Sequence, residues 1–422
     1  MEKTLSLESK RCLALDLGRS YLAYTDIDSL CLETFPDEAL DALQAFKNVM
    51  NGDIYDPGEE NKGFSNHVGW LEPVKETLKP TDAELAAVKK AAQEIRAGSD
   101  ILVFAASGPA YLAARSGVDF FDISGGSPEV LFLGCNTSPA YHKRLVEKLK
   151  GRRFSVCAVE DGMFQHESVI ALNDIKAPEK FYVFSNNRES TFCAGAGKAG
   201  AEILISAPEF TKQSLILSPG ALLPLAATGI DIDAVIEGAE LEPLLDMESY
   251  VPVGCAGAGA TRELFIPLSS TNIKNYSAAR HLLRRKGYGM ELFTYIDNTL
   301  AGFSGWLKYL FMSTASGDRI IHADALDLSM NMNALIDYAA ANKSFFETFL
   351  HVGRLDRHDI GDFKTPDDLP ALGSFLIMES MQKQRRSGVP IVRVNIPQAD
   401  PYFYGQMISL FSRAAAVMDV WK

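Results

Sequence analysis

The chain has 422 residues, 47% of them hydrophobic, and its 41 basic and 54 acidic side chains give a formal charge of −13. That length and mix predict two or three packed domains with sizeable cores, and without a basic surplus to displace counterions a nucleic acid partner is disfavoured. No apolar run approaches the length of a membrane span and residues 1–10 lack an apolar signal core, so no membrane association is expected and the predicted location is the cytoplasm.

The six cysteines, Cys12, Cys31, Cys135, Cys157, Cys193 and Cys255, are scattered without disulfide or zinc spacing. They read as small buried hydrophobes, and no metal or cofactor is expected. The basic runs Arg152-Arg153 and Arg284-Arg285-Lys286 read as solvated helix ends.

Residues 12–18 suit a short strand, and an acidic stretch with Gly, Pro and Asn follows at 51–66. This extension, 1–66, has no assigned role. Asp16-Leu17-Gly18-Arg19-Ser20 is faintly similar to a sugar-kinase phosphate loop, but a strand ending in a glycine turn is commonplace. An amphipathic helix over 83–97 leads into the apolar run 101–106, whose length suits a strand covered on both faces. The pattern then repeats: a strand at 130–134, a helix opening at Ser138-Pro139 and ending near Lys150-Gly151, and strands at 154–159, 181–184 and 202–206, with a helix between the first two of these three. Alternation of this period predicts a doubly wound parallel sheet. Gly195-Ala196-Gly197-Lys198 and the glycine-rich stretch 254–261 lack full phosphate-loop spacing and read as turns or close backbone packing.

The second half predicts a strand at 290–296, a helix at 301–313, a strand near 319–325, helices near 330–350 and 369–386, a strand at 390–396, and a last helix capped by Asp400-Pro401 and running to Trp421. The fold class is therefore α/β, with two tandem doubly wound parallel sheets in three-layer α/β/α sandwiches. The boundaries fall at 67–230 and 231–422, with a broad contact and a cleft expected between the halves.

Several blocks resemble, in order and spacing, those of the bacterial phosphoglucose isomerase family. They are Gly69-Trp70; the strand, glycine loop and helix of 101–121; Tyr141-His142 with Phe154-Ser155; Leu222-Leu223-Pro224-Leu225-Ala226; the stretch 276–287; 306–311; Phe346-Glu347-Thr348; Gly388-Val389-Pro390; Ile396-Pro397; and Tyr404-Gly405. The resemblance implies sugar-isomerase (SIS-type) domains, interconversion of glucose 6-phosphate and fructose 6-phosphate through an enediol, a sugar-phosphate ligand, and a homodimer whose site takes a histidine from the neighbouring subunit.

At the positions the resemblance assigns to chemistry, this chain departs from the family. The glutamate base falls on Ser313 and a glutamine four residues earlier on Tyr309; a neutral serine cannot abstract a carbon acid's proton unaided, and a positioned base contributes about 10²–10⁴ in rate. The ring-opening histidine falls on Met332, with Asn331 and Asn333 beside it, none of them a proton shuttle near neutral pH. The loop that holds phosphate through hydroxyls and amides reads Glu160-Asp161-Gly162-Met163-Phe164-Gln165. Carboxylates facing the cleft would repel an anion; capping the next helix is the other reading. The first glycine loop reads Gly108-Pro109-Ala110, where proline removes an amide donor, the family's arginine has Lys212 as nearest match, and the family's terminal glutamine and lysine would lie beyond Trp421-Lys422.

The expectation is a chain with no catalytic residue retained, and a ligand site to be sought among Ser107, Gly108, Ala110, Glu160, Asp161, Gly162, Gln165, His166, Lys212, Ser313 and Asn331. Two rival readings stand beside it. One is a working isomerase rebuilt from Glu160, Asp161, His166 or His322 and acting on a different sugar; the other is a structural or regulatory subunit whose cleft is filled by Met163, Phe164 and Met312.

Overall fold

The computed structural model describes residues 14–16, 79–123, 126, 128–160, 166–206, 215–240, 276, 280, 283–284, 287–314, 322–341, 344–352, 389, 391–396 and 398–420. The chain divides into two compact units. One is continuous, Glu76–Ile236; the other is split, and takes what lies before Glu76 and after Ile236.

A short strand, β1 (Ala14–Asp16), comes first and belongs to the split unit. The continuous unit opens with helix α1 (Asp82–Gly98), started by a capping box in which the Thr81 hydroxyl accepts from the Glu84 amide while the Glu84 carboxylate accepts from the Thr81 amide at 2.8 Å. That exchange satisfies two amide donors a helix start otherwise leaves orphaned. Strand β2 (Ile101–Ala105) follows, buried at every residue as a central parallel strand requires. Next come α2 (Gly108–Phe120), β3 (Glu129–Leu133), α3 (Pro139–Leu149), β4 (Phe154–Glu160), α4 (His166–Asn173), β5 (Phe181–Ser185), α5 (Thr191–Lys198), β6 (Glu202–Ile205) and α6 (Pro219–Thr228).

All five strands of this sheet run parallel in the order β3-β2-β4-β5-β6. One side of the sheet is packed by Ile101, Val103, Leu133, Leu145, Val156 and Val183. Against the unit, α1 lies along α6, and Arg96 closes the α6 C-terminus by donating to the carbonyls of Ala226 at 2.5 Å and Ala227 at 3.3 Å.

Helix α7 (Ile232–Ala239) crosses the unit boundary. The split unit then has β7 (Met290–Tyr295), α8 (Ala301–Thr314), β8 (His322–Asp327), α9 (Leu328–Ala341), β9 (Phe345–Val352), β10 (Ile391–Ile396) and α10 (Pro401–Val420). Its sheet order is β1-β10-β9-β7-β8. Four strands are parallel, and β1 closes the edge antiparallel to β10, with Leu15 opposite Val394. Apart from that edge strand, the two sheets wind in the same order. Phe293, Phe303, Phe311 and Phe411 form an aromatic core under this sheet, with the Phe293 and Phe311 rings stacked at 5.4 Å.

Three expectations need correction. Residues 345–352 form a strand, β9, where a helix was expected to extend to 350: the run Phe345-Phe346-Glu347-Thr348-Phe349-Leu350 is wholly buried between β7 and β10, and a short apolar run of this kind suits a covered strand. Gly195-Ala196-Gly197-Lys198 is neither a turn nor a close backbone approach but the second half of α5, with open space beside both glycines. Cys135 is exposed and adopts a left-handed backbone (φ 50°), whereas Cys157 and Cys193 are buried as expected.

Candidate functional site

In a doubly wound sheet, ligands sit outside the carboxyl ends of the strands where the winding reverses. In the continuous unit that point lies between β2 and β4, because the chain leaves β2 for β3 on one side and β4 for β5 on the other. Ser107, Gly108 and Ala110 fall there on the segment that follows β2, and Glu160 falls there as the last residue of β4. Asp161, Gly162, Met163, Phe164, Gln165 and Lys212 lie outside the described residues. His166 opens α4, and its side chain is likewise outside them.

The loop after β2 is tightly built. Ser107 is the N-cap residue of α2, yet its hydroxyl makes no cap bond and pairs instead with the Ser168 hydroxyl of α4 at 2.9 Å, both side chains being fully buried. Gly108 takes a positive φ of 49° and its amide donates to the Cys135 sulfur at 3.2 Å. Gly134 (φ 111°) brings the end of β3 so close that a Cβ there would stand 2.0 Å from the Ala106 carbonyl oxygen. Ala110 is buried in the first turn of α2. The amide of Gly108 and the hydroxyl of Ser107, the donors an anion would seek at this helix start, thus already have partners within the chain.

Glu160 ends β4, and one carboxylate oxygen accepts from the Ser185 hydroxyl at 2.8 Å, the Ser190 hydroxyl at 2.7 Å and the Cys193 thiol at 3.4 Å. Ser190 in turn caps α5 by accepting from the Cys193 amide at 3.0 Å. The carboxylate therefore braces the start of α5 through its capping serine. It is turned toward β5 and α5, and serves neither as a free base nor as a bare charge toward an incoming phosphate. These partners were not anticipated; the serine ahead of α5 was the one local signal.

The split unit holds the remaining candidate positions, and its topology separates them. Helix α8 leaves the carboxyl end of β7 and returns to the amino end of β8, so Ser313, near its end, lies at the amino edge of the sheet. Its hydroxyl donates to the Leu310 carbonyl at 3.0 Å, within its own helix. Asn331 and Met332 are the fourth and fifth residues of α9, near the carboxyl edge, where the Asn331 amide donates to the Asp327 carbonyl at 2.9 Å. A helix of 14 residues spans about 21 Å, so one unit does not bring Ser313 and Met332 together. Tyr309 is half-buried on α8 and Met312 is 50% exposed, open rather than packed within its unit. His322 is the first residue of β8 and so stands at the amino edge, away from the ligand-bearing ends.

Beneath this sheet lies a buried polar network that the sequence reading missed. The Glu291 carboxylate is fully enclosed and accepts from Tyr276 at 2.6 Å, Arg280 at 2.6 Å and Thr348 at 2.5 Å. Arg280 also stacks over the Phe311 ring at 4.0 Å. Burial, reinforced by the Glu291 charge, raises the Tyr276 phenol well above its ordinary value and keeps it protonated. Glu347, on β9, accepts from Thr294. Every member is committed to another, so the network reads as structure.

Among the described residues no group of histidine, cysteine and acidic side chains could hold a metal, and no helix is long and apolar enough to cross a membrane.

No family model matches the chain. It is 25% identical over 428 residues to the glucose-6-phosphate isomerase of Listeria monocytogenes serotype 4b, covering 92% of this chain and 88% of that protein. It is 26% identical over 370 residues to the glucose-6-phosphate isomerase of Pediococcus pentosaceus, covering 79% and 78%. Among solved structures, a hypothetical protein from Thermus thermophilus superposes with a TM-score of 0.65 at 18% identity, over 97% of this chain and 94% of that one. A glucose-6-phosphate isomerase from Chlamydia trachomatis superposes with a TM-score of 0.58 at 13% identity, over 93% and 81%.

Proposed function

We propose that the chain, similar over most of its length to glucose-6-phosphate isomerases, is a divergent member of that family with little or no glucose-6-phosphate isomerase activity, and that it instead holds a carbohydrate or sugar-phosphate-like ligand in a binding or regulatory role. The observation that carries this reading is the state of Ser313. The position the family gives to its base holds a neutral hydroxyl that donates to its own helix at Leu310, with no carboxylate to move a proton between C1 and C2.

Two further features support it. Glu160, the one described carboxylate at the end of β4, is occupied by Ser185, Ser190 and Cys193, which disfavours its reuse as a base. Met332 replaces the ring-opening histidine. The topological distance between Ser313 and Met332 within one unit is the arrangement in which a site draws on a second copy, and a homodimer is part of the proposal.

The test is turnover of fructose 6-phosphate by pure protein, with the glucose 6-phosphate formed oxidised by an NADP-dependent dehydrogenase. The expected rate is at background. Turnover within about a hundredfold of an ordinary family enzyme, the smallest factor a positioned base contributes, overturns the loss of activity. Ligand holding is read separately by thermal shift with sugars, sugar phosphates and polyols; a ligand at 100 times its Kd adds about 2.7 kcal/mol, and no response from any of them removes the binding half.

A further inference from the structure

Arg413 lies on α10 and is 5% exposed. Its Nε donates to the Ser409 hydroxyl at 2.9 Å, one turn earlier on the same helix. No carboxylate lies within ion-pair distance of it among the described residues. The contrast with Arg280 in the same unit is plain: equally enclosed, that guanidinium meets the Glu291 carboxylate at 2.6 Å and a ring face at 4.0 Å. An enclosed charge is costly unless it is paired and hydrogen-bonded. Burial pulls the Arg413 guanidinium down to about 10, which still leaves it charged at neutral pH.

We propose that Arg413 and Ser409 form a seat for a small oxyanion, a phosphate or a carboxylate, which supplies the counter-charge that this enclosed guanidinium lacks among the described residues. The donor geometry suits the ligand. With Nε given to Ser409, the two terminal nitrogens of the planar fork remain to grip two oxygens of one anion, the arrangement guanidinium groups favour for carboxylate and phosphate. The Ser409 hydroxyl accepts from Nε and so keeps its own proton, a third donor available to the same anion. This seat rests on α10 alone and is independent of the isomerase reading.

The experiment is thermal unfolding of the full chain in chloride, phosphate and acetate at matched ionic strength, which holds screening constant, with Arg413→Met beside the natural protein. The natural protein is expected to rise by several degrees in phosphate, acetate or both, and Arg413→Met to show no such rise while unfolding in chloride no earlier than the natural protein. A rise in phosphate alone assigns the seat to phosphate groups; a rise in acetate alone assigns it to carboxylates. The proposal is overturned if neither anion acts, if the variant keeps the full response, or if the variant is the less stable protein in chloride, since the guanidinium would then be satisfied within the chain. It is overturned too if stability in chloride climbs with protein concentration in the natural protein alone, which gives the counter-charge to a second copy. Should Arg413→Met fail to fold, Ser409→Ala keeps the charge and removes one donor; isothermal titration should find anion affinity weakened about tenfold, and unchanged affinity sinks the seat.

Discussion

The Arg280 guanidinium and the Glu291 carboxylate meet at 2.6 Å with side chains 3% and 0% exposed, one group from the segment before β7 and the other from β7 itself. The pair fastens that segment to an interior strand of the split unit's sheet, between β9 and β8. Breaking it leaves a carboxylate enclosed with only the Tyr276 and Thr348 hydroxyls. Arg280→Met should cost about 3–5 kcal/mol, measured by urea unfolding; a loss below about 1 kcal/mol, the scale of an exposed pair, would show that the charge is not enclosed.

Restoring the family's base alone should not restore chemistry. Ser313→Glu places a carboxylate near the end of α8, but on the proposed reading the ring-opening position is still Met332, and groups that act as a unit do not contribute separately. The coupled assay should stay at background with this variant. Measurable turnover would show that the rest of the site is intact and that one substitution silenced it.

Gly134→Ala tests how tightly the β3 end is set against the loop after β2. A Cβ 2.0 Å from the Ala106 carbonyl oxygen, on a backbone at φ 111°, forces the two segments apart. Backbone strain of about 1–3 kcal/mol and a similar overpacking cost add together. A fall in Tm of several degrees is expected, and a variant as stable as the natural protein would mean that the two segments lie further apart.

Glu160→Ala removes the acceptor shared by Ser185, Ser190 and Cys193. The stranded donors should cost about 1–3 kcal/mol, whereas Glu160→Gln, which keeps an oxygen in place, should lose less. If both variants unfold with the natural protein, the carboxylate is not bracing α5.

Stability should also carry a mark of Glu94. The Lys180 ammonium at 2.5 Å, followed by the Tyr182 hydroxyl at 2.9 Å, holds this carboxyl below its ordinary value of 4.5. A depressed acid contributes stability that is present above its unfolded value and lost as pH falls through its folded one. Glu94→Gln should therefore be less stable than the natural protein at pH 7, and the gap should shrink below about pH 4.5. A gap that persists unchanged into strong acid would assign the effect to shape rather than charge.

Local chemistry made much of the continuous unit legible. Ser138-Pro139 announced α3, and the apolar run after α1 announced β2, because capping and burial act over a few residues. The partners of Glu160 were not legible, since Ser185 and Ser190 stand 25 and 30 residues further on and only the sheet brings them together. The same holds for Glu291, whose acceptance from Thr348 bridges 57 residues. Residues 345–350 are apolar enough to suit either a covered helix or a covered strand, and pairing with β7 and β10 decided between them. In α5, two glycines with space beside them cost helix propensity, and the Ser190 cap with its Glu160 brace offsets that cost.

The antiparallel partnership of β1 with β10 has a bearing on how the molecule is made. As the nascent polypeptide leaves the ribosome, residues 76–236 emerge as one uninterrupted stretch and can mature at once. Leu15 must wait until Val394 has been translated before its backbone finds a mate. A pause or premature stop ahead of β10 would thus leave the continuous unit finished and the split unit unfinished, exposing sticky strand borders to chaperones and proteases.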